Sequence, residues 1–279
     1  MSVNISAQDV NKLRQVTGVG MMDCKKALME ANGDFEAAID LLRKKGQKVS
    51  ASRAGRDAGE GVIVAITSND NKKGIAIELN CETDFVAKND AFLGFASQIA
   101  QAALMHNPID LDALLATAID GKSISDITVE LIGKIGEKIE LSKYVVLEGE
   151  TVVSYIHGNK KIGVLVALNM PSNESIIEAG KDVTMQIAAL SPVALDKADV
   201  DASTIQRELE IAKEQIRAEG KPEDMVEKIA LGKLNKFYKD STLLNQDFVK
   251  DSSISVAKML DNVEKGLTVN KFVRITLGS

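Results

Sequence analysis

The chain has 279 residues, of which 45% are hydrophobic and 27% charged, with a formal net charge of −6 at pH 7. That length leaves room for several modules, and the balance is that of a globular protein. A net negative charge gives no general attraction to phosphate backbones or anionic membranes, so neither nucleic acid nor membrane is an expected direct partner.

Only two cysteines occur, Cys24 and Cys81. They are far apart and form no CxxC pair, which argues against a disulfide framework or a zinc site. No apolar run reaches membrane length and no apolar leader opens the chain, so a cytoplasmic protein is expected.

Residues 1–45 predict a small three-helix unit. Ser6 can cap a helix over Ala7–Thr17 with Val10, Leu13 and Val16 on one face. Thr17-Gly18-Val19-Gly20-Met21-Met22 breaks it, and Asp23 is the expected cap of a second helix, Cys24–Ala31. Asn32-Gly33 ends that helix, and Asp34 caps a third carrying Ala37, Ile39, Leu41 and Leu42. Met21 and Met22 fall on the glycine loop, as core residues or as an adaptable binding surface. Residues 46–60 read as a flexible linker with no apolar period, where Lys48, Arg53 and Arg56, with Lys45 beside them, form a solvated basic run.

From Gly61 the pattern alternates. Val62–Thr67 and Gly74–Leu79 flank turn chemistry at Ser68–Lys73 and predict a hairpin. Next comes Asn80-Cys81-Glu82-Thr83-Asp84-Phe85-Val86-Ala87-Lys88-Asn89, ahead of a helix bearing Phe92, Phe95, Ile99 and Ala103. Asp84 or Asn89 can cap that helix. Phe85 either staples the helix to the sheet or stands on the turn as a wedge for a partner protein.

A second hairpin follows at Thr151–Ile156 and Ile162–Leu168, with a helix near Ser175–Leu190. Asn71-Lys72-Lys73-Gly74-Ile75-Ala76-Ile77-Glu78-Leu79-Asn80 resembles Asn159-Lys160-Lys161-Ile162-Gly163-Val164-Leu165-Val166-Ala167-Leu168-Asn169. The pattern is an internal duplication of a strand-strand-helix unit, each copy with an added strand (Lys138–Leu147 and Lys271–Leu277). The core halves are 61–148 and 149–279, and the fold class is α+β with antiparallel sheets. Beyond the matching Asn the copies part: the first continues to Phe85, the second runs Met170-Pro171-Ser172-Asn173-Glu174. A structural staple would be wanted in both, so the asymmetry favours the wedge.

Residues 203–238 predict an inserted antiparallel coiled-coil hairpin. Ile205, Leu209, Ala212 and Ile216 form one seam, Glu219-Gly220-Lys221-Pro222 makes the turn, and Val226, Ala230, Leu234 and Phe237 return. A helix at Ser255–Glu264 and the last strand close the chain.

Nothing in this pattern is catalytic. No phosphate-binding glycine loop follows a strand, and the acids are scattered over helical faces. His106 sits at a helix end, and His157 on the second hairpin turn is either a polar loop residue or a partner contact. Cys24 and Cys81 read as small buried residues without a local activating partner. No metal or cofactor site is expected, and the chain does not read as an enzyme.

Two long motifs carry a family resemblance. Leu13-Arg14-Gln15-Val16-Thr17-Gly18-Val19-Gly20-Met21-Met22-Asp23-Cys24-Lys25-Lys26-Ala27-Leu28, with Ala31-Asn32-Gly33-Asp34, resembles the N-terminal signature of the translation elongation factor Ts family. The stretch from Asn80 to Asn89 resembles its second signature, and the likeness runs over nearly the whole chain. It implies a ubiquitin-associated-like N-terminal domain, a two-part core and a coiled-coil arm used in dimer formation. It implies guanine-nucleotide exchange on the translational GTPase elongation factor Tu, with release of GDP during elongation. Thr83, Asp84, Phe85 and Val86 match the turn associated with displacing magnesium, and Leu13, Met21 and Met22 match a second docking contact. Some members carry a further C-terminal helix, whereas this sequence ends just after the expected closing strand, so any contact made by that helix is expected to be missing.

Overall fold

A computed structural model describes residues 5–158 and 160–278. Asn159, the first residue of the second matched stretch above, lies outside the described residues.

The three N-terminal helices form where their caps and apolar spacing place them. α1 (Ala7–Thr17) is capped by Ser6, whose hydroxyl accepts the Asp9 N–H, and ends at Gly18 with φ +65. That left-handed value favours glycine. α2 runs Met21–Glu30 from a Gly20 N-cap. It therefore starts three residues before the expected Cys24, and Asp23 lies in its first turn, where it pairs with Lys45. α3 (Phe35–Arg53) is capped by Asp34. Val10, Leu13, Cys24, Ala27, Leu28, Ala38 and Leu42 make the core between these helices.

The linker expectation for 46–60 is corrected over its first part, where α3 continues to Arg53, while 54–59 lie in no helix or strand. That end of α3 lacks a hydrophobic period because the buried residue is Gly46. α3 packs on α7 (Ile124–Ile135), and a Cβ added to Gly133 would meet the Gly46 Cα at 2.7 Å. Two glycines allow a close crossing that larger side chains would hold apart. The basic run is engaged as well, with Lys45 on Asp23 and both Arg53 and Arg56 on Glu82.

β1 (Glu60–Thr67) and β2 (Lys73–Cys81) form the first hairpin, and β5 (Ile139–Glu148) completes a three-stranded sheet in the order β1-β2-β5. The middle strand, β2, is buried from Gly74 to Cys81. Between β2 and β5 come α4 (Asp84–Ala87), α5 (Asp90–His106), α6 (Leu111–Ala116), the small β3 and β4 pair (Ala118–Ile119 and Lys122–Ser123) and α7. The sheet β10-β7-β6 repeats this order. β6 (Thr151–His157) and β7 (Ile162–Leu168) make its hairpin, and β10 (Val269–Thr276) pairs antiparallel with β7. Val164, Val166 and Leu168 lie on one face of β7, as a two-residue period requires. They pack on Ile176, Val183 and Ile187 of α8 (Glu174–Leu190).

α9 (Ala202–Ala218) and α10 (Glu223–Ser241) form the inserted hairpin, with Ala212, Ile216, Val226 and Ala230 buried between them. Pro222 is the N-cap of α10. β8 (Asp247–Phe248), β9 (Asp251–Ser255) and α11 (Val256–Val263) follow. The chain is thus a mixture of helices with antiparallel sheets. It divides into two compact units, one holding the chain to Val64, Ile77–Tyr144 and the segment from Leu277, the other holding Ala65–Ala76 and Val145–Thr276. Among the described residues no helix is long and apolar enough to cross a membrane.

Within the first unit, Glu78 on β2 is a buried carboxylate at 2% exposure. Burial alone would raise its pKa, but the Gly278 N–H, the Asn80 amide and Lys143 outweigh it and hold the value below that of an ordinary glutamate. The Gly278 N–H donates at 2.9 Å and Lys143 Nζ stands 3.0 Å away, so this carboxylate ties down the C-terminal segment. A depressed folded-state pKa contributes stability that is present above the unfolded value and is lost as pH falls through the folded one. Glu78→Gln should therefore cost about 1–3 kcal/mol near neutral pH. The difference between variant and parent should shrink on acidification below about the ordinary glutamate value, as read by urea unfolding across pH.

Candidate functional site

Thr83, Asp84, Phe85 and Val86 come together on one turn. Thr83 is the N-cap of α4, its hydroxyl oxygen accepting the Val86 N–H at 3.4 Å. Asn89 then caps α5 by accepting from Ala91 and Phe92. These two polar residues start consecutive helices, and α4 is confined to four residues, none of them buried.

Phe85 is 82% exposed, whereas Phe92 and Phe95 of α5 are buried. The staple reading fails on this point, because a staple needs an apolar partner and Phe85 stands in water. Asp84 is also exposed, and its carboxylate accepts from Lys88 Nζ at 2.7 Å one helical turn on. That hydrogen bond, together with the charge of Asp84, raises the Lys88 ammonium above its ordinary value. Asp84 therefore comes with its own counter-ion, which no motif comparison made visible.

The base of the turn is polar and largely covered. Glu137 accepts the Thr83 N–H at 3.0 Å and the Thr83 hydroxyl at 2.7 Å. Glu82 accepts the Lys138 N–H at 2.7 Å and pairs with Arg56 at 3.1 Å and Arg53 at 3.4 Å. The Lys138 N–H is the main cause that holds the Glu82 carboxyl below its usual range; partial burial opposes it, and Arg56 and Arg53 add to it. None of Glu137, Lys138, Arg53 or Arg56 was singled out with this turn from sequence, since 26 to 56 residues separate each pair.

Cys81 is fully buried, and its S–H donates to the Thr83 carbonyl at 3.2 Å. Burial pushes this thiol up to about 12, with the Glu137 carboxylate adding to the effect. A nucleophilic cysteine needs the opposite shift. Cys24 is buried in the three-helix core with its thiol against the Val19 carbonyl.

The docking residues expected in the N-terminal unit divide. Met21 and Met22 are exposed at 51% and 64%, on the first turn of α2 rather than on a loop. Leu13 is fully buried in the core of the three helices and has no surface to offer a partner. Val16, placed above on the core face, is 66% exposed instead. It lies in the last turn of α1, where the helix runs out at Gly18 before the neighbouring helices can cover it. His157 ends β6 opposite Ile162 instead of sitting on the turn, and its Nδ1 lies 3.0 Å from the Tyr155 hydroxyl. A cavity of about 190 Å³ in the first unit is lined by Val16, Val19, Ile39 and Leu42, with Arg43 and Glu130 at its polar side. No cluster of three or more His, Cys, Asp or Glu side chains suited to a metal ion occurs among the described residues.

Residues 82–279 match the family model for elongation factor Ts. The chain belongs to the elongation factor Ts family. It is 56% identical over 274 residues to elongation factor Ts of Cytophaga hutchinsonii, covering 98% of this chain and 99% of that one. It is 54% identical over 275 residues to that of Amoebophilus asiaticus, with 99% of both covered. Against the Clostridium perfringens protein of the same name the identity is 44%, over 98% of this chain and 93% of the other. The family match begins at Glu82, so the Phe85 turn lies inside it.

With Phe85 in water and Phe92 in the core, the two phenylalanines should behave oppositely on truncation. Phe85→Ala should move the stability of the isolated protein by no more than about 0.5 kcal/mol. Phe92→Ala should cost about 3–5 kcal/mol. Thermal or urea unfolding of the two variants side by side checks this.

Proposed function

We propose that the chain is a guanine-nucleotide exchange factor that binds elongation factor Tu and promotes release of GDP during translation elongation. The observation that carries this reading is Phe85, a large apolar side chain held 82% exposed on an anchored turn within the family-matched region. An exposed aromatic of this kind loses the gain from burial in the free protein, about 1.5–3 kcal/mol for a phenylalanine, and recovers it in a partner.

The mechanism needs no acid, base, metal or cofactor from this chain, and we read it as a binding protein rather than an enzyme. A nanomolar nucleotide is held by about 12 kcal/mol, much of it through magnesium and backbone donors at the phosphates. A factor that prefers the empty GTPase weakens nucleotide by the same ratio that nucleotide weakens the factor. Phe85, pressed into the GTPase, shifts elements that hold the ion. Asp84 brings a negative charge toward the magnesium site, and for that charge to act the Lys88 pair must open or turn to the partner. Thr83 and Val86 set the turn.

Met21 and Met22 supply a second contact from the N-terminal unit, read as ubiquitin-associated-like, and Val16 joins them. The two sheets are read as an internal duplication. The matching asparagines support this: Asn80 accepts from Ser142 of β5, and Asn169 accepts the Thr268 N–H just before β10. In each half the asparagine ties the hairpin to the added strand. The α9–α10 arm is read as a coiled coil that joins two copies of the complex. His157 remains a candidate partner contact, on an exposed strand end, and the setting of the reaction is the cytoplasm.

Release of fluorescent GDP from elongation factor Tu, followed with and without the chain, tests the proposal. Phe85→Ala should slow stimulated release about ten-fold, which corresponds to roughly 1.4 kcal/mol of lost transition-state stabilisation. A plain adaptor would bind the GTPase and leave release unchanged in both forms. A thiol enzyme would instead lose activity on Cys81→Ser.

The methionines should show in the concentration dependence instead. Met21→Ser with Met22→Ser should raise the concentration for half-maximal release several-fold, on the order of 1 kcal/mol of docking, with the maximal rate kept. An unchanged half-maximal concentration would remove these residues from the interface.

A further inference from the structure

The turn carrying Phe85 is closed by two carboxylates that exchange backbone partners. Glu82 takes the N–H of Lys138, the residue after Glu137. Glu137 takes the N–H of Thr83, the residue after Glu82. Each segment thus accepts from the other's main chain, and the Thr83 hydroxyl adds a third bond at 2.7 Å to Glu137. The Glu82 side chain is only 15% exposed, and such charge-assisted bonds strengthen as water is excluded.

We propose that this reciprocal clasp positions Phe85, so that Glu137 and Glu82 are positioning residues for nucleotide exchange. The inference rests on the reading of Phe85 as the group that enters the GTPase. α4 is a single turn without a buried side chain, and a single turn does not hold itself. Its far end is fixed by Asn89 and the buried Phe92 of α5. Its near end depends on Thr83. With its proton directed to Glu137, the Thr83 hydroxyl keeps its lone pairs for the Val86 N–H. Glu137 therefore orients the cap, the cap orients the turn, and the turn sets where the Phe85 ring points. Removing Glu137 leaves the Thr83 N–H and O–H without this acceptor and lets the near end swing while the protein stays folded.

The test is fluorescent-GDP release from the GTPase with full-length variants over a range of concentrations. Glu137→Ala should lower the maximal rate about ten-fold, as small misplacements of a working group do. The half-saturating concentration, set largely by docking elsewhere, should change by less than about two-fold. Glu137→Gln, which keeps an acceptor oxygen, should recover part of the rate. Glu137→Ala combined with Phe85→Ala should be no slower than the slower single variant, because one acts through the other.

A maximal rate at the parent level in Glu137→Ala, with Phe85→Ala slow, overturns the clasp and leaves the proposed function standing. Effects that multiply in the double variant overturn it as well. A Phe85→Ala variant that exchanges normally overturns the functional reading and the clasp with it. Should Glu137→Ala not fold, Glu137→Gln, which keeps the side chain's size and the Thr83 cap but weakens the acceptor, must lower the maximal rate below the parent's at an unchanged half-saturating concentration for the clasp to stand.

Discussion

A phenylalanine held in water cannot be fixed by packing, so every restraint on its direction has to come from the polar groups around its backbone. Around Phe85 that requirement is met at both ends of a four-residue helix. Thr83 is tied by its main chain and its hydroxyl to Glu137. Asn89 opens a seventeen-residue helix whose apolar face is buried. Glu137 follows α7 by two residues, and α7 crosses α3 closely enough to need Gly46 and Gly133. Arg53, the last residue of α3, reaches Glu82. The exposed ring is therefore mounted on a frame of helices through a short series of charge-assisted bonds.

The same frame changes the expectation for the N-terminal helices. A flexible tether would make their contact additive only through effective concentration. A third helix that runs on to Arg53 and crosses α7 through a glycine pair presents Met21, Met22 and Val16 on a body whose residues share one compact unit with the Phe85 turn. Preorganised contacts lose less entropy on binding than tethered ones.

Much of the fold was legible in the sequence because local chemistry and tertiary structure agree there. Ser6, Asp34 and Asn89 are caps by residue type and caps in the structure. The two hairpins, the helix after each and the α9–α10 seam follow their periods. The failures have physical reasons. Asp23 looks like a cap, but Gly20 already starts the helix, and Asp23 serves Lys45 instead. Residues 46–53 lack an apolar stripe because glycine, not a large side chain, makes the helix crossing. Leu13 and Val16 share a helical face by spacing, yet one is core and the other surface, since the face runs out where α1 ends. α6, α7 and the small β3 and β4 pair gave no signal strong enough to single out.

The candidate site was legible in its tip and not in its base. Thr83, Asp84 and Phe85 are contiguous, and the contrast with the second half of the chain exposed Phe85 as more than core. The base is made across long separations, with Glu137 54 residues beyond Thr83 and Arg53 29 residues before Glu82. A lone glutamate after a helix and an arginine in a basic run carry no local pattern, and only folding gives them a partner. The consequence is that the tip can be copied as a motif without the polar base beneath it. Transplanting Thr83–Val86 into the matching position after Asn169 would reproduce the residues but not the acceptors beneath them. Those acceptors are Glu82 and Glu137, which lie outside the transplanted stretch, and without them the exposed ring is free to collapse onto the nearest apolar surface.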